Sequence, residues 1–167
     1  MCTKMAHILL LDTDNTEKRV SIMYGRRLPV VIALVWLMAF TGPVQADNEV
    51  VSPDAIPGTT KVDAEGVINL VEKISRLVIV DARIRQDRLQ GYIEGSVSLP
   101  DIETTCASLA GIIPNKSSPV LFYCNGPKCG RSVKSSQKAL SCGYTQVYWF
   151  RGGFEEWKNK NYSYLKK

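Results

Sequence analysis

The chain has 167 residues and a net charge of +5, with 45% hydrophobic and 22% charged residues. This length holds about one ordinary domain, which excludes a multidomain enzyme, and the composition is neither that of a disordered protein nor that of a membrane-embedded one. Five cysteines are too few for a disulfide-rich scaffold, and one histidine is too few for a histidine-rich metal site.

The N-terminal part of the chain has the order of an export leader. The thirteen uncharged residues Leu28–Phe40 are too few to span a membrane comfortably. The basic residues Arg26 and Arg27 precede them, and the small residues Val44 and Ala46 follow them. We therefore predict a secretory signal peptide cleaved after Ala46 and a periplasmic protein without a stable membrane anchor. An uncleaved N-terminal anchor is the alternative.

The sequence divides into three predicted segments, of which the leader is the first. The signal peptide covers residues 1–46, but residues 1–22 contain acidic positions that suit a signal peptide poorly, so we expect translation to start at Met23. Residues 47–60 are polar, contain two prolines and are predicted to be flexible. Residues 61–167 are predicted to form the folded domain.

Cleavage of the signal peptide removes residues on which several catalytic and metal-binding mechanisms depend. The 121 residues left have 16 basic and 13 acidic residues, a net charge of +3, with four cysteines and no histidine. The missing histidine excludes a Ser-His-Asp triad, a Cys-His pair and a histidine-ligated metal. The cysteine spacings do not fit paired Cys-x2-Cys knuckles, so we expect no metal and no other cofactor. The small, dispersed charge gives no indication of nucleic-acid binding.

Predicted helices and strands alternate along the remaining chain. Helices follow from capping residues and helical apolar spacing, and strands follow from continuous β-branched or aromatic runs. In chain order we predict a helix at Asp63–Lys73, a strand at Leu77–Val80, a short extended piece within Gly91–Pro100, a helix at Asp101–Ala110, a strand at Val120–Tyr123, a helix at Ser132–Leu140, a strand at Gln146–Phe150 and a helix at Phe154–Lys158. This alternation predicts an α/β domain with a mostly parallel sheet.

The loop Cys124–Ser132 joins a predicted strand to a helix and carries the chemistry. A loop rich in Gly and Pro at the carboxyl end of a parallel strand can direct its N–H groups inward and bind an anion. Lys128, Arg131 and the helix N-terminus add positive charge, so we expect a lowered pKa for Cys124 and predict that it is a nucleophile. A buried structural cysteine is the alternative. The other candidate anion-binding residues are Asn125, Gly126, Pro127, Gly130 and Ser132.

Several motifs, in order, resemble those of the rhodanese-like sulfurtransferases. Val78–Arg83 is similar to the family's strand followed by Asp-x-Arg. Gly91–Ser96 is similar to its Gly-His-Ile-x-Gly-Ala segment, with Tyr92 where histidine is usual. The loop Cys124–Ser132 is similar to the family's active-site loop, and Gly152–Trp157 to its closing segment.

The resemblance covers about Val62–Lys158 and implies both a fold and an activity. The fold is a single α/β domain with a central, mostly parallel five-stranded sheet flanked by helices on both faces. The implied activity transfers a sulfane sulfur from thiosulfate or a related small anionic donor, through a persulfide on Cys124, to cyanide or to a thiol on a small molecule or a protein. Arg131 and Lys128 would steer the donor, and Ser132 would cap the helix.

The loop departs from the family pattern in length and in a second cysteine. Six residues lie between Cys124 and Arg131, where the family usually has four, and related cell-cycle phosphatases and arsenate reductases use longer loops for tetrahedral oxyanions. Cys129 stands in a Cys-x4-Cys spacing, as in some exported rhodanese-like proteins, and a disulfide to Cys124 would resolve a persulfide or sulfenate. Cys129 is therefore a candidate resolving thiol, or else a residue that packs under the loop.

Two other functions stay open at this point. One is a thiol–disulfide or oxyanion-reducing enzyme that uses both loop cysteines, and the other is a non-catalytic module that binds a persulfide or an anion. Outside the loop we predict structural roles: Cys106 and Cys142 as small buried residues, and Asp81 with Arg83 as a buried pair. Arg83, Arg85 and Arg88 are interpreted as a solvated basic face or a contributor to anion steering.

Overall fold

A computed structural model describes residues 51–166, so the predicted signal peptide, its cleavage site and the start at Met23 lie outside the described residues. The elements are β1 (Thr59–Val62), α1 (Ala64–Lys73), β2 (Val78–Asp81), α2 (Arg85–Leu89), β3 (Val97–Ser98), a 3-10 turn (Asp101–Glu103), α3 (Cys106–Ile112), β4 (Val120–Tyr123), α4 (Arg131–Ser141), β5 (Val147–Phe150) and α5 (Gly153–Asn159). Within residues 51–166, none of the helices combines the length and the apolar character needed to cross a membrane.

The five strands form one parallel sheet in the order β1-β5-β4-β2-β3. β4 is the middle strand, and all four of its residues are buried. A continuous apolar run of this kind is what a parallel strand covered on both faces requires. The predicted α/β fold with a five-stranded, mostly parallel sheet is confirmed.

Two apolar clusters cover the two faces of the sheet. On one face, Leu121 and Tyr123 of β4 pack with residues of α1 and α5, including Val67 and Trp157. On the other face, Val120 and Phe122 pack with Leu109 of α3 and Ala139 of α4. Successive strand residues point to opposite faces, so a four-residue strand supplies two side chains to each cluster. The helices lie on both faces, as predicted.

The described residues before β1 are packed, which differs from the flexibility predicted for residues 47–60. Ser52 and Ile56 are buried, and Ile56 packs with Val133 and Trp149. β1 itself pairs with β5 at the edge of the sheet, and its two middle residues are exposed. Because an edge strand needs only one neighbour, it lacks the continuous apolar run by which the central strands were predicted.

The predicted helix Asp101–Ala110 is divided in the structure. A 3-10 turn comes first, and α3 begins only after Thr105, whose side chain accepts from the N–H of Ser108 while the Ser108 hydroxyl accepts from the N–H of Thr105. This reciprocal capping box defines the start of α3. α2 was not predicted, because its five residues are too few to show a helical period.

Cys106 and Cys142 form a disulfide, so the prediction that they are small buried residues was wrong. Cys106 is exposed at the first position of α3, and Cys142 follows the last residue of α4. The bond closes a chain segment with a sequence separation of 36. It links the C-terminal end of one helix to the N-terminal end of another on the same face of the sheet.

Candidate functional site

Cys124 lies directly after the middle strand of the sheet, and its side chain is almost completely buried. Its thiol donates to the carbonyl oxygen of Cys129 at 3.0 Å, and its sulfur is 3.1 Å from the hydroxyl oxygen of Ser132. Ser132 is the second residue of α4, so the sulfur lies beside the first turn of that helix. The predicted nucleophile is thus held between the loop and a helix N-terminus.

The hydroxyl of Ser132 is oriented by Trp149. The indole N–H of Trp149, on β5, donates to the Ser132 oxygen at 3.0 Å. Since that oxygen already accepts a hydrogen bond, its own proton is available to donate to a thiolate on Cys124. The prediction that Ser132 caps α4 was wrong, because the N-cap residue is Gly130 and no side chain caps this helix.

The pKa values of the two loop cysteines, Cys124 and Cys129, depend on each other. The pKa of Cys129 is lowered to about 5, first by the Cys124 side chain and then by the backbone N–H groups of Arg131 and Asn125. The pKa of Cys124 is raised, first by the Cys129 side chain and then by burial. We predicted a lowered pKa for Cys124. The side chain and the backbone N–H of Ser132 do lower it, but the Cys129 side chain and burial outweigh them. With both thiols reduced, the first proton is therefore lost from Cys129.

Asp87 fastens the two ends of the loop to α2. One of its carboxylate oxygens accepts from the side-chain amide of Asn125 at 2.9 Å and from the guanidinium of Arg131 at 2.9 Å. Asp101 lies 3.9 Å from the same guanidinium. Arg131 therefore has carboxylate partners in this structure, and its positive charge at the loop is partly balanced.

The segment Val51–Ile56, which we call the N-terminal strap, holds the opposite side of the loop. The N–H of Ser52 donates to the carbonyl of Pro127 at 2.6 Å, and its hydroxyl donates to the carbonyl of Cys129 at 2.9 Å. Arg151 in turn donates to the carbonyls of Ser52 and Pro53. The strap thus fixes the backbone at Cys129, where the Cys124 thiol also bonds.

The start of α5 supports the loop from below. The N–H of Phe154 donates to the carbonyl of Cys124 at 2.8 Å, and the N–H of Glu155 donates to the carbonyl of Asn125 at 2.7 Å. Gly153 has φ +59°, and a Cβ there would lie 2.4 Å from the Cys124 carbonyl oxygen. Only glycine allows this approach between α5 and the loop.

A surface cavity of about 410 Å³ opens over the loop. Its lining contains most of the predicted site residues, namely Asn125, Gly126, Lys128, Cys129, Gly130 and Arg131, together with Glu155. Pro127 lines neighbouring cavities, while Cys124 and Ser132 are buried beneath the loop. Of the two thiols, Cys129 is the one that faces the cavity.

The predicted buried pair of Asp81 and Arg83 is confirmed, with the guanidinium bonded to both carboxylate oxygens at 2.8 and 2.7 Å. Arg88 also bonds Asp81, at 3.0 Å, and stacks on the ring of Tyr92. Arg83 and Arg88 therefore do not form a solvated basic face or steer anions, because both are buried in this network. Arg85 is exposed and pairs with Glu103.

The residues of the site that were not predicted include Ser52, Asp87 and Trp149. Each lies far from the loop in sequence, so only the fold brings it to the cysteines. For metal binding, the part of the chain that the structure describes contains no group of three or more His, Cys, Asp or Glu side chains placed to hold an ion.

Comparison with known proteins assigns the family. The rhodanese-like domain family matches residues 63–160, more than half of the chain, and the chain therefore belongs to it. A curated relative, an uncharacterized protein of Buchnera aphidicola, is 30% identical over 88 residues, which cover 52% of this chain. The match spans 58% of that relative's length.

Solved structures show the same fold. A Bacillus halodurans protein is similar with a TM-score of 0.57 at 22% identity, over 65% of this chain and 77% of that one. The thiosulfate sulfurtransferase of Pseudomonas aeruginosa is similar with a TM-score of 0.56 at 25% identity, over 65% of this chain and 20% of that one.

Proposed function

We propose that this protein is a sulfurtransferase that moves a sulfane sulfur through a persulfide on Cys124. The observation that carries the proposal is the chain of contacts from Trp149 through Ser132 to the Cys124 sulfur. It supplies a directed hydrogen-bond donor to a thiolate or a persulfide anion at the end of the middle strand. Membership of the rhodanese-like family supports sulfur chemistry at this loop.

Thiosulfate or a related small anion is the proposed donor. The Cys124 thiolate attacks the outer sulfur of thiosulfate, the sulfur–sulfur bond of the donor breaks, and sulfite leaves with the electron pair. The two thiols together carry one negative charge, so the attacking form has that charge on Cys124 and a proton on Cys129. Lys128 and Arg131 line the cavity through which the anion arrives.

The proposed acceptor is a thiol, on a small molecule or a protein, or cyanide. The acceptor attacks the outer sulfur of the persulfide, and the Cys124 thiolate leaves. The cavity above the loop is open to solvent, which suits a small nucleophile or an exposed cysteine of a partner protein.

We also propose export to the periplasm with cleavage after Ala46. The Cys106–Cys142 disulfide supports this, since disulfides persist mainly in oxidising compartments. Mass spectrometry of the periplasmic fraction is expected to find a mature chain that begins at Asp47. An intact chain in the cytoplasmic fraction would contradict export.

A second candidate function, thiol–disulfide exchange, is favoured by one observation. Cys129 is the accessible thiol with the lowered pKa, and Cys124 is the buried thiol with the raised pKa. This is the arrangement of an attacking and a resolving thiol. Such a protein would reduce a model disulfide and would take up no sulfur from thiosulfate.

Thiocyanate formation from thiosulfate and cyanide tests the leading proposal. We expect Cys124→Ser to abolish this activity and Cys129→Ser to retain it, because only Cys124 carries the transferred sulfur. Undiminished activity in Cys124→Ser would show that the nucleophile is assigned to the wrong residue.

A further inference from the structure

We propose that Cys129 attacks the inner sulfur of a Cys124 persulfide, so that the protein releases sulfide and forms a Cys124–Cys129 disulfide. This step rests on the proposed function, because it consumes the persulfide which that function creates. It adds a product, sulfide, and a partner class, the thiol reductant that restores the two thiols.

The loop geometry brings the two cysteines together across a turn. The N–H of Cys129 donates to the carbonyl of Gly126 at 3.0 Å, which folds the loop back toward its start. The Cys124 thiol then reaches the carbonyl of Cys129 at 3.0 Å, and the Ser52 hydroxyl holds that same carbonyl at 2.9 Å. Both cysteines are free thiols in this state.

Accessibility distinguishes the two thiols. Cys124 is 1% exposed and does not line the cavity over the loop, whereas Cys129 is half-buried and does line it. Cys129 therefore lies between a persulfide on Cys124 and the cavity from which a thiol in solution would approach. The proximity of a group on the same loop raises its effective concentration far above that of a free acceptor.

The reactivity of the two groups favours attack at the inner sulfur. Besides the Cys124 side chain, the backbone N–H groups of Arg131 and Asn125 lower the pKa of Cys129, and both N–H groups stay in place when Cys124 carries a sulfur, so the loop still supports a thiolate on Cys129. Attack at the inner sulfur expels hydrosulfide into the open cavity, whereas attack at the outer sulfur expels the Cys124 thiolate, a charged group that is disfavoured in its buried position. The less basic group leaves faster, which here is hydrosulfide.

The step balances in atoms and electrons. A protonated persulfide on Cys124 and the Cys129 thiolate form one sulfur–sulfur bond between the two side chains and break the bond to the outer sulfur. Hydrosulfide leaves with the electron pair. The sulfane sulfur is reduced to sulfide and the two thiols are oxidised to a disulfide, which a low-molecular-weight thiol or a dithiol protein then reduces.

The test is a single turnover of the purified, loop-reduced protein with thiosulfate and without added thiol. Wild type is expected to release sulfite and about one sulfide per chain. Trypsin cleaves after Lys128, so the expected disulfide joins the peptide that contains Cys124 to the peptide Cys129–Arg131 in a non-reducing digest. A double variant, Cys106→Ala with Cys142→Ala, is the matched control and is expected to release the same amount of sulfide.

Two loop variants separate this step from the proposed function. Cys129→Ser and Cys129→Ala are expected to keep the added sulfur on Cys124 and to release sulfide only when a thiol is supplied. If wild type also keeps the sulfur and forms no linked peptide, the role of Cys129 is overturned while sulfur transfer stands. If neither Cys129 variant gains sulfur, sulfur transfer through Cys124 is overturned, and this step with it.

Discussion

Ser132 connects an indole on one strand to a sulfur at the end of another. Its position at the start of the predicted helix Ser132–Leu140 led us to expect a cap, since serine is a common N-cap residue. In the structure its hydroxyl instead lies between Trp149 and Cys124, at 3.0 and 3.1 Å. Trp149 was predicted only as part of a strand, and no local pattern indicates which hydroxyl an indole N–H will meet.

Removal of this hydroxyl is expected to slow sulfur loading. Ser132→Ala leaves the Cys124 thiolate and persulfide without a donor, which lowers the single-turnover rate with thiosulfate by roughly 10- to 100-fold. Ser135→Ala is the matched control, because it removes another buried hydroxyl from the same helix, one that bonds Thr104 instead of a cysteine. An equal loss of rate in both variants would mean that the effect is structural.

The shared ionisation of the two thiols gives a pH prediction. The largest influence that lowers the pKa of Cys129 is the Cys124 side chain, so Cys124→Ser is expected to raise that pKa from about 5 toward the ordinary cysteine value. The pH at which iodoacetamide labels Cys129 at half its maximal rate then moves upward. A labelling midpoint near 5 in both proteins would show that the amides of the loop act alone.

At the scale of elements, the central strands and the longer helices were predictable, whereas the supports of the site were not. β4 and β5 are continuous apolar runs, and β2 is one up to its last residue, Asp81. The loop residues are adjacent in sequence, so the strands and the loop are both visible as patterns. The N-terminal strap and α2 have no such pattern. Each reaches the loop through one residue, Ser52 or Asp87, and these contacts exist only once the sheet has assembled.

The junction between α5 and the loop is expected to be sensitive to a single methyl group. Gly153→Ala places a Cβ at 2.4 Å from the Cys124 carbonyl oxygen at φ +59° and should lower the free energy of unfolding by about 1 to 3 kcal/mol. Gly143→Ala is the control, since Gly143 also has a positive φ, of +88°, but no atom within 4 Å of the new Cβ. Urea denaturation measures the free energy of unfolding of both variants. An equal loss in both would show that the close approach to the Cys124 carbonyl is not the cause of the destabilisation.

At the scale of the whole domain, an apolar cluster covers each face of the sheet. The disulfide joins α3 to α4, which both pack on the same face. The sequence predicted the fold because its alternating pattern and its motifs point to the same architecture. It did not predict the pairing of Cys106 with Cys142, because the two helix ends meet only after α3 and α4 pack on the same face.

Loss of this disulfide is expected to affect stability without affecting chemistry. In the chain-entropy treatment, a loop with a sequence separation of 36 corresponds to a stabilisation of about 4 kcal/mol. Cys106→Ala combined with Cys142→Ala should therefore unfold at lower urea concentration and keep its rate of sulfur loading. A loss of loading in the folded double variant would indicate that the bond also shapes the loop.

The central claim is that Cys124 carries the transferred sulfur, and the intact mass of the Cys129→Ser protein after incubation with thiosulfate tests it most directly. The expected result is one added sulfur, about 32 Da, on the peptide that contains Cys124, with no addition to Cys124→Ser under the same conditions. An unchanged mass for Cys129→Ser, or an equal gain in Cys124→Ser, would contradict the account.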